Sequence, residues 1–186
     1  GTALAADEPV TIHSAEHLVR TYNSWTCAAA PIHDPDTGEL IGAVDVTGAA
    51  RTFHPTTLAL VVAAAKLAES HLAAQIAVRD ERLLAKGLPH LTALRGGPGA
   101  LLAPSGRVLA AQPAGWLPAR VHLPHSGDRV RFEGGEAVLE PLAEGWLARP
   151  VDRGARTLPV LTVSFLGAHR PVVHVDGRPV QLSRRH

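Results

Sequence analysis

Eleven histidines and a single cysteine are the first residues of this chain to consider for metal binding or nucleophilic chemistry. His13 and His17 are four positions apart, but they straddle a predicted strand end and helix start. They therefore do not share a helical face, and they predict no metal site. Cys27 lies inside an apolar strand, which is typical of a buried small hydrophobic residue rather than a reactive thiol.

The sequence also lacks the usual catalytic patterns. It contains no paired carboxylates and no Ser, His and Asp set at a recognisable spacing. The run Gly96-Gly97-Pro98-Gly99 lacks the Lys and Ser or Thr of a phosphate-binding loop. We therefore predict a protein that is not an enzyme and that holds neither a metal nor a cofactor.

Composition describes an ordinary globular chain. Its 186 residues are 46% hydrophobic, enough for one large or two small domains, and the net charge of +1 gives no basic footprint for nucleic acid. One cysteine excludes an internal disulfide, so a reducing compartment fits best. We find no apolar run of about 20 residues and no leader, and we predict a cytoplasmic protein without a membrane segment. The absence of methionine, initiator included, suggests an excised fragment.

One long helix is predicted between the two parts of the chain, from Pro55 to about Lys86. Pro55 suits a first helical turn, and neither Gly nor Pro follows until Gly87 and Pro89, which are predicted to end the helix. Such a helix would be about 45–50 Å long. It would separate an α/β part before it from a β-rich part after it.

This helix carries two apolar lines. The first, here called the first stripe, has a 4-3-4-3 spacing with two interruptions and consists of Leu58, Val62, Ala65, Leu72, Ile76 and Leu83. The second consists of Leu60, Ala64, Leu67, Ala74 and Val78. A helix that packs on one surface needs a single stripe about 100° wide. The pattern indicates either a core helix with a polar tail or a helix with one face on its own sheet and the first stripe on a partner in a homodimer.

Before the helix, the sequence predicts three strands. Pro9–His13 is a short strand, and Ser14–Arg20 is predicted as a short helix with Ser14 as its N-cap. The strands 25–32 and 40–47 flank the turn Asp34–Gly38, which predicts an antiparallel hairpin. The small residues of these strands would allow the long helix to lie close on the sheet.

The order of these segments resembles the second half of a GAF sensor domain of bacterial transcription regulators such as the acetoin-catabolism activators. The segments are G-T-A-L (1–4), P-V-T-I-H-S-A-E-H (9–17), W-T-C-A-A-A-P-I (25–32), D-P-D-T-G-E-L-I-G-A-V-D-V-T-G (34–48) and H-P-T-T-L-A-L (54–60). The chain departs from the family at Val46-Thr47, where Leu-Ser is common, and Gly1 falls in the middle of the GAF fold.

The resemblance implies an unknown small-molecule effector held between the sheet and a capping layer. The residues nearest to such a pocket would be His13, His17, Tyr22, Trp25 and Cys27. Other interpretations stay open, since His17 could lie on a solvated face and Trp25 could fill a core.

After the helix, short apolar runs separated by turns predict a small, mostly antiparallel sheet. The runs are 99–103, 107–111, 116–123, 128–132, 136–140 and 145–150. Their order resembles a PAS-type sensor, and a plain β spacer is the alternative. Trp116 and Trp146 are predicted to nucleate its core.

The last residues predict strands 161–167, 171–175 and 178–182, with a turn at Asp176-Gly177 and a helix capped by Ser183. The sequence F-L-G … V-H-V-D-G-R-P-V-Q-L-S-R-R-H resembles the N-terminal sheet of winged-helix output domains. An isolated hairpin is the alternative.

Together these patterns predict an α+β chain with four parts. They are the C-terminal half of a GAF sensor (1–53), a closing and dimerising helix (54–87), a PAS-like β module (88–153) and the first hairpin of a winged helix (154–186). The predicted function is ligand- or dimer-controlled transcription regulation, with DNA bound only through a domain after His186. The alternatives are the regulatory GAF module of a signalling enzyme and a purely structural interaction module.

Overall fold

The computed structural model describes residues 1–151 and, beyond them, the backbone of three strands, Leu161–Ser164, Val172–Val175 and Arg178–Val180. The chain divides into two compact units, Gly1–Pro150 and Val151–His186. The described residues form antiparallel sheets and one long helix, so the protein is of the α+β class, as predicted.

The first sheet has three antiparallel strands in the order β1-β2-β3. A short helix α1 (Thr2–Ala6) precedes β1 (Val10–His13), β2 (Trp25–His33) and β3 (Leu40–Ala49). The predicted hairpin between β2 and β3 is confirmed. Its turn is built by Asp34, whose Oδ1 accepts hydrogen bonds from the backbone N–H groups of Asp36 (2.7 Å) and Thr37 (3.2 Å).

The predicted helix over Ser14–Arg20 is wrong. The structure has two single turns of 3-10 helix instead, Ser14–Glu16 and Arg20–Tyr22. Ser14 is not an N-cap, because it takes a left-handed φ of 47° within the first turn and its side chain bonds the carbonyl of Asn23 (2.8 Å). This bond closes the segment 14–24 into a compact loop over the sheet.

The long helix α2 (Thr57–Ala93) covers one face of this sheet. Ala28 and Ala30 on β2 are buried against Val61 and Ala65 of the helix. These side chains are small, so the helix backbone approaches the strands closely, as the sequence predicts. Leu58, Val62, Ile32 and Val44 extend the contact.

The predicted end of the helix is wrong. Gly87 and Pro89 lie inside α2, which continues to Ala93 and ends where Arg95 and Gly96 take left-handed φ angles of 51° and 88°. Gly87 lies where the helix contacts the second sheet, and a larger residue would not fit there. A Cβ added there would lie 2.7 Å from the side chain of Leu101. Close packing overrides the local preference of glycine to end a helix.

The assignment of the first stripe to a dimer seam is also corrected. Leu58, Val62 and Ala65 pack on the first sheet, and Leu83 is fully buried. Leu72 and Ile76 are half-buried near the β2–β3 turn. The first stripe therefore covers the chain's own strands, while the second apolar line stays exposed.

By length and composition alone, α2 is long and apolar enough to cross a membrane, with an 18-residue window of mean hydropathy 1.3. Core helices of soluble proteins share this property.

The second sheet has five antiparallel strands in the order β5-β4-β8-β7-β6. Their bounds are β4 (Gly99–Leu102), β5 (Val108–Gln112), β6 (Arg129–Phe132), β7 (Gly135–Leu142) and β8 (Gly145–Pro150). Trp116 and Trp146 pack against its core as predicted, and the indole N–H of Trp116 donates to the Gly99 carbonyl (2.9 Å). The run 116–123 is not a strand: it is a loop with one isolated β-bridge, between Arg107 and Arg120.

The second unit contains a three-stranded antiparallel sheet in the order β11-β10-β9, with β9 (Leu161–Ser164), β10 (Val172–Val175) and β11 (Arg178–Val180). The predicted antiparallel pairing of the last two strands is confirmed. The predicted turn at 176–177 and the helix after Ser183 lie outside the described residues.

Candidate functional site

A cavity of about 360 Å³ opens on the face of the first sheet that is turned away from α2. Successive residues of a strand point to opposite faces, so Cys27 points away from the helix that buries Ala28. Cys27 and Thr47 are directly paired across β2 and β3. They form the floor of the cavity, and His17, Tyr22 and Trp25 form its walls.

The loop 14–24 places the walls. His17 follows the first 3-10 turn, and its backbone N–H bonds the Ser14 carbonyl (3.2 Å). Tyr22 ends the second turn, and its ring centroid lies 6.3 Å from that of His17. The loop thus carries two aromatic side chains over the sheet.

Hydrogen bonds define the polar end of this cavity. His17 Nδ1 lies 2.9 Å from the Ser14 carbonyl oxygen, which can only accept, so this nitrogen carries a hydrogen. In the neutral ring, His17 Nε2 is then an acceptor, and it lies 3.5 Å from Cys27 Sγ. The Thr47 hydroxyl is 2.6 Å from Asp45 Oδ1 and 3.2 Å from Cys27 Sγ. The shorter contact with the carboxylate takes the hydroxyl hydrogen.

The cavity suits a small, uncharged molecule. Three of its five lining side chains are aromatic rings, and none is a carboxylate or an ammonium or guanidinium group. Its volume is within the range of about 300–1,000 Å³ that is usual for small-molecule sites. In residues 1–151, no group of three His, Cys, Asp or Glu side chains is arranged to hold a metal ion.

The structure brings together four of the five residues predicted to lie near a pocket, His17, Tyr22, Trp25 and Cys27. His13 lies elsewhere: its Nδ1 is 2.8 Å from the Thr26 hydroxyl, and its ring contacts Phe53. Trp25 is exposed at the mouth of the cavity and fills no core. Thr47 was missed, although the symmetric hairpin register that pairs it with Cys27 could have revealed it. Whether a ligand binds here stays a prediction.

A second polar cluster joins the β2–β3 turn to the second sheet. Asp36, at the tip of the turn, accepts hydrogen bonds from Arg107 Nε (2.7 Å), Arg120 (2.9 Å) and the Ser105 hydroxyl (2.6 Å). Arg107 also donates to the buried Asp80 on α2 (2.5 Å). Burial alone would raise the pKa of Asp36, but hydrogen bonds from Arg107, Ser105 and Arg120 outweigh it and hold the pKa far below its usual value.

A third cluster connects both helices of the first unit to the end of β2. His33 Nε2 lies 2.7 Å from Asp7, and its backbone N–H donates to Glu69 on α2 (3.0 Å). The ring contacts with Asp7 and, second, with Glu69, whose Oε1 lies 3.3 Å from His33 Nδ1, raise the pKa of His33. Lys66, at 2.7 Å, and the backbone of His33 lower the pKa of Glu69 to about 2.

Comparison with known proteins assigns relatives to the N-terminal part. Residues 1–72 match the family described as MimR, N-terminal domain. An uncharacterized 47.3 kDa protein in the thcA 5' region of Rhodococcus erythropolis is 50% identical over 72 residues, 39% of this chain and 16% of that protein. The acetoin dehydrogenase operon transcriptional activator AcoR of Bacillus subtilis is 40% identical over 86 residues, 46% of this chain and 14% of the activator.

The propane 2-monooxygenase operon transcriptional activator MimR of Mycolicibacterium goodii is 38% identical over 72 residues, 39% of this chain and 12% of its own length. The matched part therefore spans 12–16% of these three relatives. Two of them are bacterial transcriptional activators by name, not enzymes.

Proposed function

We propose that this chain is the sensory and regulatory part of a bacterial transcription regulator. The observation that carries the proposal is the coincidence of two regions. The segment that matches the MimR N-terminal domain family, residues 1–72, includes all five residues that line the cavity. The part of the chain that has these relatives is therefore also the part that contains the cavity.

In this proposal the effector binds between the first sheet and the loop 14–24. Its apolar part contacts the rings of Tyr22 and Trp25, and its one polar group bonds His17 Nε2 or the Cys27 thiol. The effector shifts regulation only if it binds one arrangement of the protein more tightly than another. The loop 14–24 lies over one face of the first sheet, and α2 packs on the other face of the same strands. In this proposal, an effector that displaces the loop also shifts the strands that contact the helix.

The finer assignments belong to the same proposal. Residues 1–53 are the C-terminal half of a GAF sensor, 88–153 a PAS-like module, and 154–186 the first hairpin of a winged helix. The protein acts in the cytoplasm as a homodimer and binds DNA through a domain that follows His186. The support for this arrangement is the order of the sequence motifs and the antiparallel sheets found in each part.

The test is a titration of the native-length gene product against fluorescent promoter DNA from its own genome at several salt concentrations. We expect specific binding whose affinity falls steeply with salt, because basic side chains that contact phosphates release counterions. Chain 1–186 alone, with a net charge of +1, is the control and should bind only weakly. Binding of the native-length protein no stronger than this control would overturn the proposal.

A further inference from the structure

The exposed face of α2 carries a second apolar line with a strict heptad spacing. We call this line the outer row, and its members are Leu60, Ala64, Leu67, His71, Ala74 and Val78. Their separations alternate between four and three residues without interruption. The three large apolar members are exposed to 67% (Leu60), 72% (Leu67) and 47% (Val78). A single exposed leucine needs no explanation, but an apolar row along five turns does.

The outer row lies opposite the part of the helix that covers the sheets. At about 100° per residue, its members fall within a sector of about 80°. The buried residues Val61, Ala65 and Leu83 lie on the other side of the helix. The helix can therefore bury the outer row without loss of its own sheet contacts.

The side chains beside the outer row would permit another helix to approach closely. Ala63, Ser70 and Ala77 flank it, and all three are small and exposed. Between Thr57 and Val78 the helix has only two charged residues, Lys66 and Glu69, and they pair with each other (2.7 Å). No charge has to be removed from water when this face is covered, which removes the largest cost of burial.

The spacing identifies the occupant as a second copy of the same helix. An apolar repeat of 3.5 residues matches a left-handed pair of helices, because each helix presents its row along the whole contact. A two-fold dimer joins identical surfaces, so one self-complementary row suffices. A helix that lies on a membrane surface carries basic residues on the side opposite its apolar row. In α2 that opposite side is apolar and packs on the chain's own strands.

A polar residue in the middle of the row fits the same occupant. His71 is the only outer-row side chain with a polar group, and its Nε2 contacts Gln75 at 2.9 Å. A single polar position within an apolar seam specifies the register of a helix pair at some cost in stability.

We propose that α2 forms a homodimer through the outer row, a face distinct from the first stripe that the sequence analysis assigned to this role. One part of this proposal rests on the proposed function, namely that the paired helices respond to the effector. Dimerisation itself is measured without effector or DNA, so its failure is distinguishable from a failure of regulation.

The experiment is light scattering on chain 1–186 over a wide range of concentration. We expect the mass to approach twice the chain mass of 19.5 kDa. Leu67→Asp should weaken the dimer by about 100-fold or more, because two carboxylates would be buried in the seam. Its far-UV circular dichroism should match that of the wild type at a concentration where both are monomers, because Leu67 is exposed within its own chain.

The matched control is Lys86→Asp, an exposed position on the same helix about 80° from the middle of the row. It should dimerise within a few-fold of the wild type. A wild type that stays monomeric at the highest concentration overturns the proposal. The proposal is also overturned if Leu67→Asp dimerises as strongly as the wild type. Equal weakening of the dimer in both variants would place the interface outside the outer row.

Discussion

At the scale of single residues, the cavity depends on which hydrogen each polar side chain carries. The Ser14 carbonyl fixes the His17 tautomer and leaves Nε2 as an acceptor beside the Cys27 thiol. The Thr47 hydroxyl is engaged by Asp45. The cavity therefore offers one ring nitrogen acceptor and one weak thiol donor within aromatic walls, which favours a neutral ligand with a hydroxyl group over an ion.

This chemistry predicts that a neutral six-carbon alcohol binds the cavity. Titration of ¹⁵N-labelled chain with cyclohexanol should shift the amide signals of residues 14–27 and 47, because the ring fills the apolar space and the hydroxyl donates to His17 Nε2. Cys27→Phe should abolish these shifts by filling the cavity from its floor.

Glu39→Phe is the control, since Glu39 is exposed in the hairpin turn and lines no part of this cavity. It should respond to cyclohexanol as the wild type does. Shifts that spread over the whole surface, or that persist in Cys27→Phe, would argue against a site at this position.

At the scale of elements, glycines mark where segments approach more closely than any side chain would allow. Gly106 lies in the turn between β4 and β5 with φ +83°, and a Cβ there would come within 1.9 Å of the Val121 carbonyl oxygen. The same Gly106 accepts a hydrogen bond from the Val121 N–H (2.9 Å). This turn therefore holds the loop 113–128 against the sheet.

We predict that Gly106→Ala lowers the free energy of unfolding by about 2–5 kcal/mol, because strain at a positive φ adds to a clash with rigid backbone. Gly115→Ala is the matched control: its φ is +79°, but a Cβ there would contact nothing within 4 Å. It should cost only about 1–2 kcal/mol. Urea unfolding of both variants measures the difference, and equal losses would show that the clash is relieved by movement of the loop.

At the scale of the whole described unit, the two sheets are joined by α2 and by the ionic cluster at Asp36. The β2–β3 turn reaches Ser105, Arg107 and Arg120 of the second sheet and its loops, and Arg107 bonds Asp80 on the helix as well. The first sheet is therefore connected to the second in two ways, through the packed helix and through the hydrogen-bonded turn.

We predict that Arg107→Met lowers the free energy of unfolding by about 1–3 kcal/mol. It removes one partner from two buried carboxylates, and the loss is moderated by the remaining bonds to Asp36 and by the partial exposure of the guanidinium group. Amide hydrogen exchange should also rise in the turn 34–38 and at 103–107.

Arg149→Met is the control for this prediction, because Arg149 pairs with Glu140 and both side chains are largely exposed. Its loss should be within about 1 kcal/mol, with unchanged exchange in the turn. An Arg107→Met variant as stable as this control, with the turn still protected, would mean that helix packing alone holds the sheets together.

The sequence alone determined the local elements. Alternating apolar residues and the Asp34–Gly38 turn specified the β2–β3 hairpin, and the long run without glycine specified most of α2. Its resemblance to a GAF sensor also indicated four of the residues that line the cavity. These features depend on neighbours close in sequence, so a linear pattern contains them.

Only the tertiary structure decided the end of the helix, the role of each apolar row and the closure of the loop 14–24. Gly87 stops a helix by its own preference, but here it faces Leu101 of another strand. Both rows of α2 are apolar, and which one is buried depends on Ala28 and Ala30 of a distant strand. Such choices are made by contacts between residues far apart in the chain, which no local pattern records.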